Sequence, residues 1–440
     1  MTAGGQDTVS YELETWARTV LIGSRRPSSY ERVKAYRILN RANHRAYQAH
    51  LAKALLDLSY QGGRDASPQT RLALLEEAAD TARTVRRDEP RRGELVVRIL
   101  DSYQRALYEL GRRAEGLAVR EEMATANRLA FAAGERGSVE RGLRAWAHGL
   151  AEEGRHADAA AALTELLDVT VPEYTWSACT WDRLSLTAEL DAAGPTDAAV
   201  KTLSAILDED RAKLAADKTS LSGVFHTLIW HALLLDRAGR ADDADAARRE
   251  ALGLLRRLAA TGEPKSWSGY QYSYAGVLLA VQAGNAEPHT AGRPRPAFGV
   301  DPDEWSPDLR ERYFDEAGIA RREAPASDRP GTLLDTARRE HRLPELAALR
   351  RRLAIRTGVY WLWRHGHRFL EPALPAFNDS VEAARRLHTE TTATGRPLLI
   401  HALTDRAMIL TAGHRYPDAL HDYHEALTLH SRRTLSSRAD

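Results

Sequence analysis

Residues 146–166 read WAHGLAEEGRHADAAAALTEL, and residues 186–206 read LTAELDAAGPTDAAVKTLSAI. Laid one above the other, they place Leu150 over Leu190, Gly154 over Gly194, Ala159 over Ala199, Leu163 over Leu203 and Leu166 over Ile206. Each stretch opens as a helix whose last leucine lies just before a glycine. A helix often ends at a residue in the left-handed conformation, which glycine adopts without a Cβ clash. A short polar turn follows, with Asp158 or Asp197 in the next helical turn, where the positive end of the helix dipole favours an acid. Pro195 is also tolerated there. The alanine and two aliphatic residues then recur at i, i+4 and i+7, one face of a second helix.

The same pattern extends in both directions. Leu107 with Gly111 precedes it and Leu235 with Gly239 follows, so the glycines step by 43, 40 and 45 residues. Gly284 continues the series, and Gly413 repeats it near the C-terminus. Leu58 with Gly62 gives a first half-pattern. Ala244 takes the small-residue position after Gly239. Ala419, Tyr423 and Ala426 form the C-terminal stripe, with Tyr416 and Pro417 in its turn. A period in the low forties suits a helix pair. The stripe is altered at Gly116, Arg120 and Met123, and Arg248 interrupts another.

These units resemble tetratricopeptide repeats, in the longer variety of about 42 residues. The matching residues are 146–166, 186–206, 228–251 and 403–426, and about half the chain carries the resemblance. It implies an all-α fold, a right-handed superhelical solenoid of antiparallel helix pairs. Four regions are expected. Residues 1–57 form an N-terminal helical cap, since end repeats need an atypical polar face. Residues 58–284 form the repeats. Residues 285–331, with Pro288, Pro294, Pro296, Pro302, Pro307, Pro325 and Pro330, form an insert or linker with at most one short helix, around 309–321. Residues 332–440 return to repeat-like helices.

Composition narrows the function classes. The 440 residues carry 62 Lys and Arg against 61 Asp and Glu, a net charge of +1. Chain-wide attraction to nucleic acid or an anionic membrane is therefore not expected. No apolar run is long enough to span a bilayer, and residues 1–10 lack an apolar signal core. With Cys179 the only cysteine, no internal disulfide can form. The expected location is the cytoplasm.

Catalytic signatures are missing: no glycine-rich phosphate loop, no HExxH and no Gly-x-Ser-x-Gly. The chain is read as non-enzymatic. Cys179, beside Trp176 and Trp181, is read as a packing residue. His365 and His367, and His421 and His424, invite a metal reading. No cysteine or spaced carboxylate completes either set, so no metal and no cofactor are expected. Arginine runs at 25–26, 86–87, 91–92 and 350–352 have acids nearby, such as Glu76, Glu77, Asp88, Glu89 and Glu345, and read as salt-bridged helix surfaces. Three aromatic clusters stand out: Tyr174, Trp176 and Trp181; Trp267, Tyr270, Tyr272 and Tyr274; Tyr360, Trp361 and Trp363. Tyr and Trp favour binding hot spots as well as cores.

The resemblance implies that first helices line a concave groove. Register from each turn glycine assigns Asp101, Arg105, Tyr108, Arg141, Arg144, His148, Trp181, His226 and Tyr274 to that groove. Their Arg, His and Tyr content suits an acidic or carboxylate-bearing protein or peptide segment. The expected function is a protein–protein interaction scaffold or regulatory adaptor. The alternative is a sensor whose peptide or small-molecule ligand sits in the groove and whose output passes through a partner protein. Oligomeric state stays open.

Overall fold

The computed structural model describes residues 11–23, 25–61, 67–135, 139–169, 176–216, 218–264, 269–287, 292–316 and 343–436. Among these the fold is all-α, with no strand, and helices pack consecutively against their neighbours in the manner of an α-helical solenoid. The first nine helices are α1 (Tyr11–Ile22), α2 (Ser29–Ala42), α3 (His44–Gln61), α4 (Pro68–Thr84), α5 (Arg92–Glu109), α6 (Arg113–Ala132), α7 (Glu140–Glu152), α8 (His156–Val169) and α9 (Trp176–Ala193). Then come α10 (Thr196–Ala215), α11 (Leu221–Arg237), α12 (Ala241–Thr261), α13 (Gly269–Ala286) and α14 (Pro307–Glu316). The last four are α15 (Leu343–His365), α16 (Leu370–Glu390), α17 (Thr392–Ala412) and α18 (Tyr416–Ser436).

Local chemistry sets the boundaries. Ser28 and Glu31 close a reciprocal capping box on α2, and Ser67 with Pro68 starts α4. Gly111, Gly154, Gly194 and Gly239 all have positive φ, as the repeat reading requires. The two outer glycines of the series do something else. Gly284 lies inside α13, where an added Cβ would come within 3.0 Å of the Phe298 ring. Gly413 has φ −88°, and the left-handed turn falls on His414 instead. Gly413 is needed for space: a Cβ there would meet Leu370 at 2.4 Å.

A ladder of ion pairs repeats the period independently. Arg37 reaches Glu77, Arg71 reaches Glu109, Arg83 reaches Glu122, Arg128 reaches Glu165, Arg211 reaches Glu250 and Arg385 reaches Glu425. Every partner lies 37 to 40 residues along the chain. Each pair is half-exposed, so it contributes at most about 1 kcal/mol and acts mainly on register.

Contacts divide the chain into two compact units, one within residues 1–150, 164–172 and 306–308, the other within 151–163, 173–305 and 309–440. In the first, α1 to α6 pack in sequence. Leu55, Leu75, Val97, Ile99 and Met123 are fully buried in its main core. In the second, α9 to α12 pack in sequence, then α13 packs on α11 and α15. Helices α15 to α18 continue, and α18 returns to pack on α12 while α17 reaches α11 and α13. Trp230, Phe225 and Leu228 are fully buried at its centre.

Residues 292–316, from the stretch read as an insert or linker, form a packed insert. The Trp305 indole donates to the Ala297 carbonyl at 3.0 Å. Its ring contacts Phe298, Tyr313 and Phe314, and Phe314 stacks on Trp363 of α15 at 5.6 Å. Buried aromatic area offsets the ordering cost of the prolines and glycines. Residues 317–342 lie outside the described residues, as do Tyr174 and Trp267.

Candidate functional site

Helix α11 is the wall around which the site is built. Ser220 caps it, and the Glu263 carboxylate accepts from the Ser222 N–H at 2.9 Å and the Leu221 N–H at 3.3 Å. An acid at a helix N-terminus is favoured by the dipole. One turn later His226 is buried, with Nδ1 2.6 Å from the Ser222 carbonyl and Nε2 3.0 Å from the Met408 carbonyl of α17. Burial lowers its pKa, although both carbonyls favour the charged ring. The contact ties α11 to α17.

Beyond that tie, α11, α12, α13, α17 and α18 line an open-sided cavity of about 160 Å³. Ile229, Ala232, Leu233, Ile400, Ala426 and Leu427 give it an apolar wall. Pro397, inside α17, adds to the lining. The polar end is Arg248, held by Asp236 and by Asp245 at 2.9 Å, with His430 Nε2 3.6 Å from Asp245. Thr404, His401, Gln282 and Tyr423 complete the lining.

Two of these groups are unfinished. Tyr423 is 2% exposed and Gln282 5% exposed, and among the described residues neither Tyr423 Oη nor Gln282 Nε2 has a hydrogen-bond partner; both atoms are sealed off from the cavity space as well. Burial pushes the Tyr423 phenol well above its ordinary pKa, so it remains a donor. A buried donor without a partner costs about 1–3 kcal/mol. An apolar cavity with a few convergent polar groups is the usual form of a small-molecule site.

A second cavity of about 140 Å³ is lined by α8, α9, α11, α13 and the insert. In it His156 Nδ1 lies 2.7 Å from Glu189, and Arg295 approaches His156 Nε2 at 3.4 Å. Burial raises the Glu189 pKa, opposed by His156 and Arg295. The dyad orients an imidazole, and among the described residues no hydroxyl or thiol side chain lines this cavity.

The groove residues expected from register separate. Asp101 pairs with Arg141 at 2.9 Å and Arg105 at 3.5 Å, and both arginines are exposed. Arg144 is half-buried. Tyr108 and His148 are buried instead of lining an open surface. Arg120 and Arg113 lie over the Tyr108 ring, and Gly116 is small because a Cβ would meet that ring at 2.8 Å. Burial, then Arg144 and Arg120, lowers the His148 pKa. In the other unit Trp181 is half-buried against Tyr270 and Tyr274, with ring centroids at 5.2 and 5.8 Å. Tyr274 is buried and its hydroxyl meets Thr227 Oγ1 at 2.8 Å. His226 is likewise interior. Cys179 is half-buried. Among the described residues no three His, Cys, Asp or Glu side chains gather into a metal-binding group.

Register reasoning missed Gln282, which nothing in the local pattern marks. Arg248 and Tyr423 did leave a signal. One interrupts the small-residue stripe of α12, and the other places a phenol between Ala419 and Ala426 on α18.

No helix among the described residues is long and apolar enough to cross a membrane. No protein-family model matches the chain, and no curated protein matches it. Among solved structures, the crystal structure of BtubC (BKLC) from P. vanneervenii aligns over 59% of this chain and 96% of that one. Identity is 15% and the TM-score 0.37, a likeness too low to carry an argument about function.

Proposed function

We propose that this chain is a non-enzymatic, tetratricopeptide-like sensor that binds a small molecule in the α11–α18 cavity and signals through a partner protein. The carrying observation is a cavity of about 160 Å³ that joins an apolar wall, Ile229, Leu233, Ile400 and Leu427, to a polar end at Arg248, His401 and His430. The enclosing helices include both α11 and the C-terminal pair α17 and α18, so occupancy bears on how those elements pack. A cytoplasmic setting belongs to the same reading.

The test is a thermal-shift screen of small metabolites on the wild type and on Ala426→Phe, which fills the cavity. A ligand that binds only the native state raises Tm in proportion to its occupancy. Stabilisation of the wild type but not of the filled variant is the expected result. Equal shifts in both proteins refute the site.

A second reading, an adaptor that grips an acidic partner segment, is favoured by the exposed Arg105 and Arg141 around Asp101. There Arg141→Glu should abolish retention of the partner without changing the thermal-shift hits.

A further inference from the structure

The second cavity, between α8, α9, α11, α13 and the insert, is independent of the α11–α18 reading and holds a cation that the protein does not use. The charged and titratable side chains that line it are His156 from α8, Glu189 and Asp191 from α9, Arg237 from α11 and Arg295 from the insert. All but one are committed. Asp191 pairs with Arg237, and Glu189 holds His156 Nδ1 at 2.7 Å. Arg295 is the exception. Its backbone N–H donates to the Glu152 carbonyl at 3.1 Å, which fixes the residue at the cavity. Its guanidinium reaches only His156 Nε2, at 3.4 Å, and among the described residues no carboxylate pairs with it.

The free part of this group is accessible. Arg295 is half-buried, and its Nε and Nη1, which have no partner among the described residues, are not sealed from solvent. Only one N–H of Nη2 can face His156, so one two-pronged edge of the guanidinium stays whole. Such an edge takes both oxygens of a carboxylate, as Arg128 does with Glu165 at 2.6 and 2.7 Å.

Charge and size narrow the ligand. With both acids ionised and the imidazole neutral, Glu189 and Asp191 balance Arg237 and Arg295. Protonating any of the lining groups only adds positive charge, so the lining is never negative. A monoanion answers the single unmatched cation, whereas a dianion would bring a charge that nothing here offsets. An uncharged ligand would leave Arg295 unmatched. The volume, about 140 Å³, is close to the roughly 150 Å³ that holds benzene. Ala188, Ala192, Pro296 and Phe298 give apolar atoms beside Arg295.

We propose that this cavity binds a small monocarboxylate, its carboxylate paired with Arg295 and its short hydrocarbon body resting against Ala188, Ala192 and Phe298.

Butanoate, butanamide, inorganic phosphate and acetyl-alanyl-valine serve as probes, titrated into the full chain with protein-observed NMR. Arg295→Gln, Arg295→Lys, Ala192→Trp and Ala426→Phe are measured in parallel, with far-UV circular dichroism to confirm folding. Butanoate should bind saturably, and butanamide at least about tenfold more weakly, since it loses a charge-assisted pair. Arg295→Gln should weaken butanoate to the same degree, and Arg295→Lys should lose less, because the charge stays while the fork does not. Ala192→Trp, which fills the cavity mouth, should abolish binding. Ala426→Phe, in the other cavity, should leave it unchanged. Equal binding of butanoate and butanamide overturns the proposal without recourse to any variant, as does an absence of saturable butanoate binding. So does butanoate affinity untouched by Arg295→Gln or lost in Ala426→Phe. Tighter binding of phosphate overturns the monocarboxylate class, and tighter binding of the dipeptide assigns the carboxylate to a protein terminus instead of a small molecule. The metabolite screen on the α11–α18 cavity stands or falls separately from each of these results.

Discussion

Neighbouring residues of α17 and α18 are finished in opposite ways. Asp405 is buried and paired with Arg351 of α15, Nε to Oδ2 at 2.6 Å and Nη2 to Oδ1 at 3.3 Å. Asp422 takes both arms of Arg406 at 2.6 and 2.7 Å. The residues beside them, Thr404 and Tyr423, line the cavity, and among the described residues the buried Tyr423 Oη has no partner. The same two helices thus complete charged groups in bidentate geometry and leave a donor one residue away unmatched. Pairing is within reach of this fold, and it stops at Tyr423.

The comparison can be broken experimentally. Arg351→Ala should have the largest effect, because it strands the buried Asp405 carboxyl. A loss of about 3–5 kcal/mol in denaturant unfolding is expected. A loss below 1 kcal/mol would mean that the pair is not matched as described.

Asp210 is an intermediate case. It is buried, among the described residues its Oδ1 has no hydrogen-bond partner, and burial raises its pKa to about 6, against the attraction of Lys213. The folded state then holds the proton more tightly than the unfolded chain. Stability from this group is fully present below about pH 4 and is lost as pH rises to about 6. Relative to Asp210→Asn, the wild type should lose about 1–3 kcal/mol between pH 4 and pH 7. Parallel pH profiles for the two proteins would remove Asp210 from the account.

Tyr423→Phe should have the smallest effect and the opposite sign. Removing a partnerless hydroxyl should leave the ligand-free protein unchanged or up to about 1 kcal/mol more stable in urea unfolding. Clear destabilisation would show that the hydroxyl has a partner and that the cavity is already complete.

The repeat was legible because helix termination and one-face packing are local: Gly154, Gly194 and Gly239 all take the positive φ that their spacing implied. Gly284 and Gly413 matched the same spacing for a different cause, close packing under Phe298 and Leu370, which sequence separation hides. The groove was read less well. Register from a turn glycine gives the face of a helix but not which neighbour later covers it, so Tyr108, His148, His226 and Tyr274 lie inside. The prolines of 292–316 pointed to a loop, and only the stacking of Trp305, Phe314 and Trp363 made it part of the core.

By itself the sequence determined the helical class and the period of about 42 residues, since each depends on spacings within one or two helices. Of the arginine runs read as salt-bridged surface, Arg86 does pair with the neighbouring Asp88, whereas Arg351 is buried against Asp405, 54 residues along the chain. The tertiary structure alone decided that Arg248, Gln282 and Tyr423, drawn from α12, α13 and α18, share one cavity. No local rule relates residues so far apart in the chain. They meet because α18 packs back on α12 and α17 on α11 and α13, burying apolar faces that the consecutive pairs leave open.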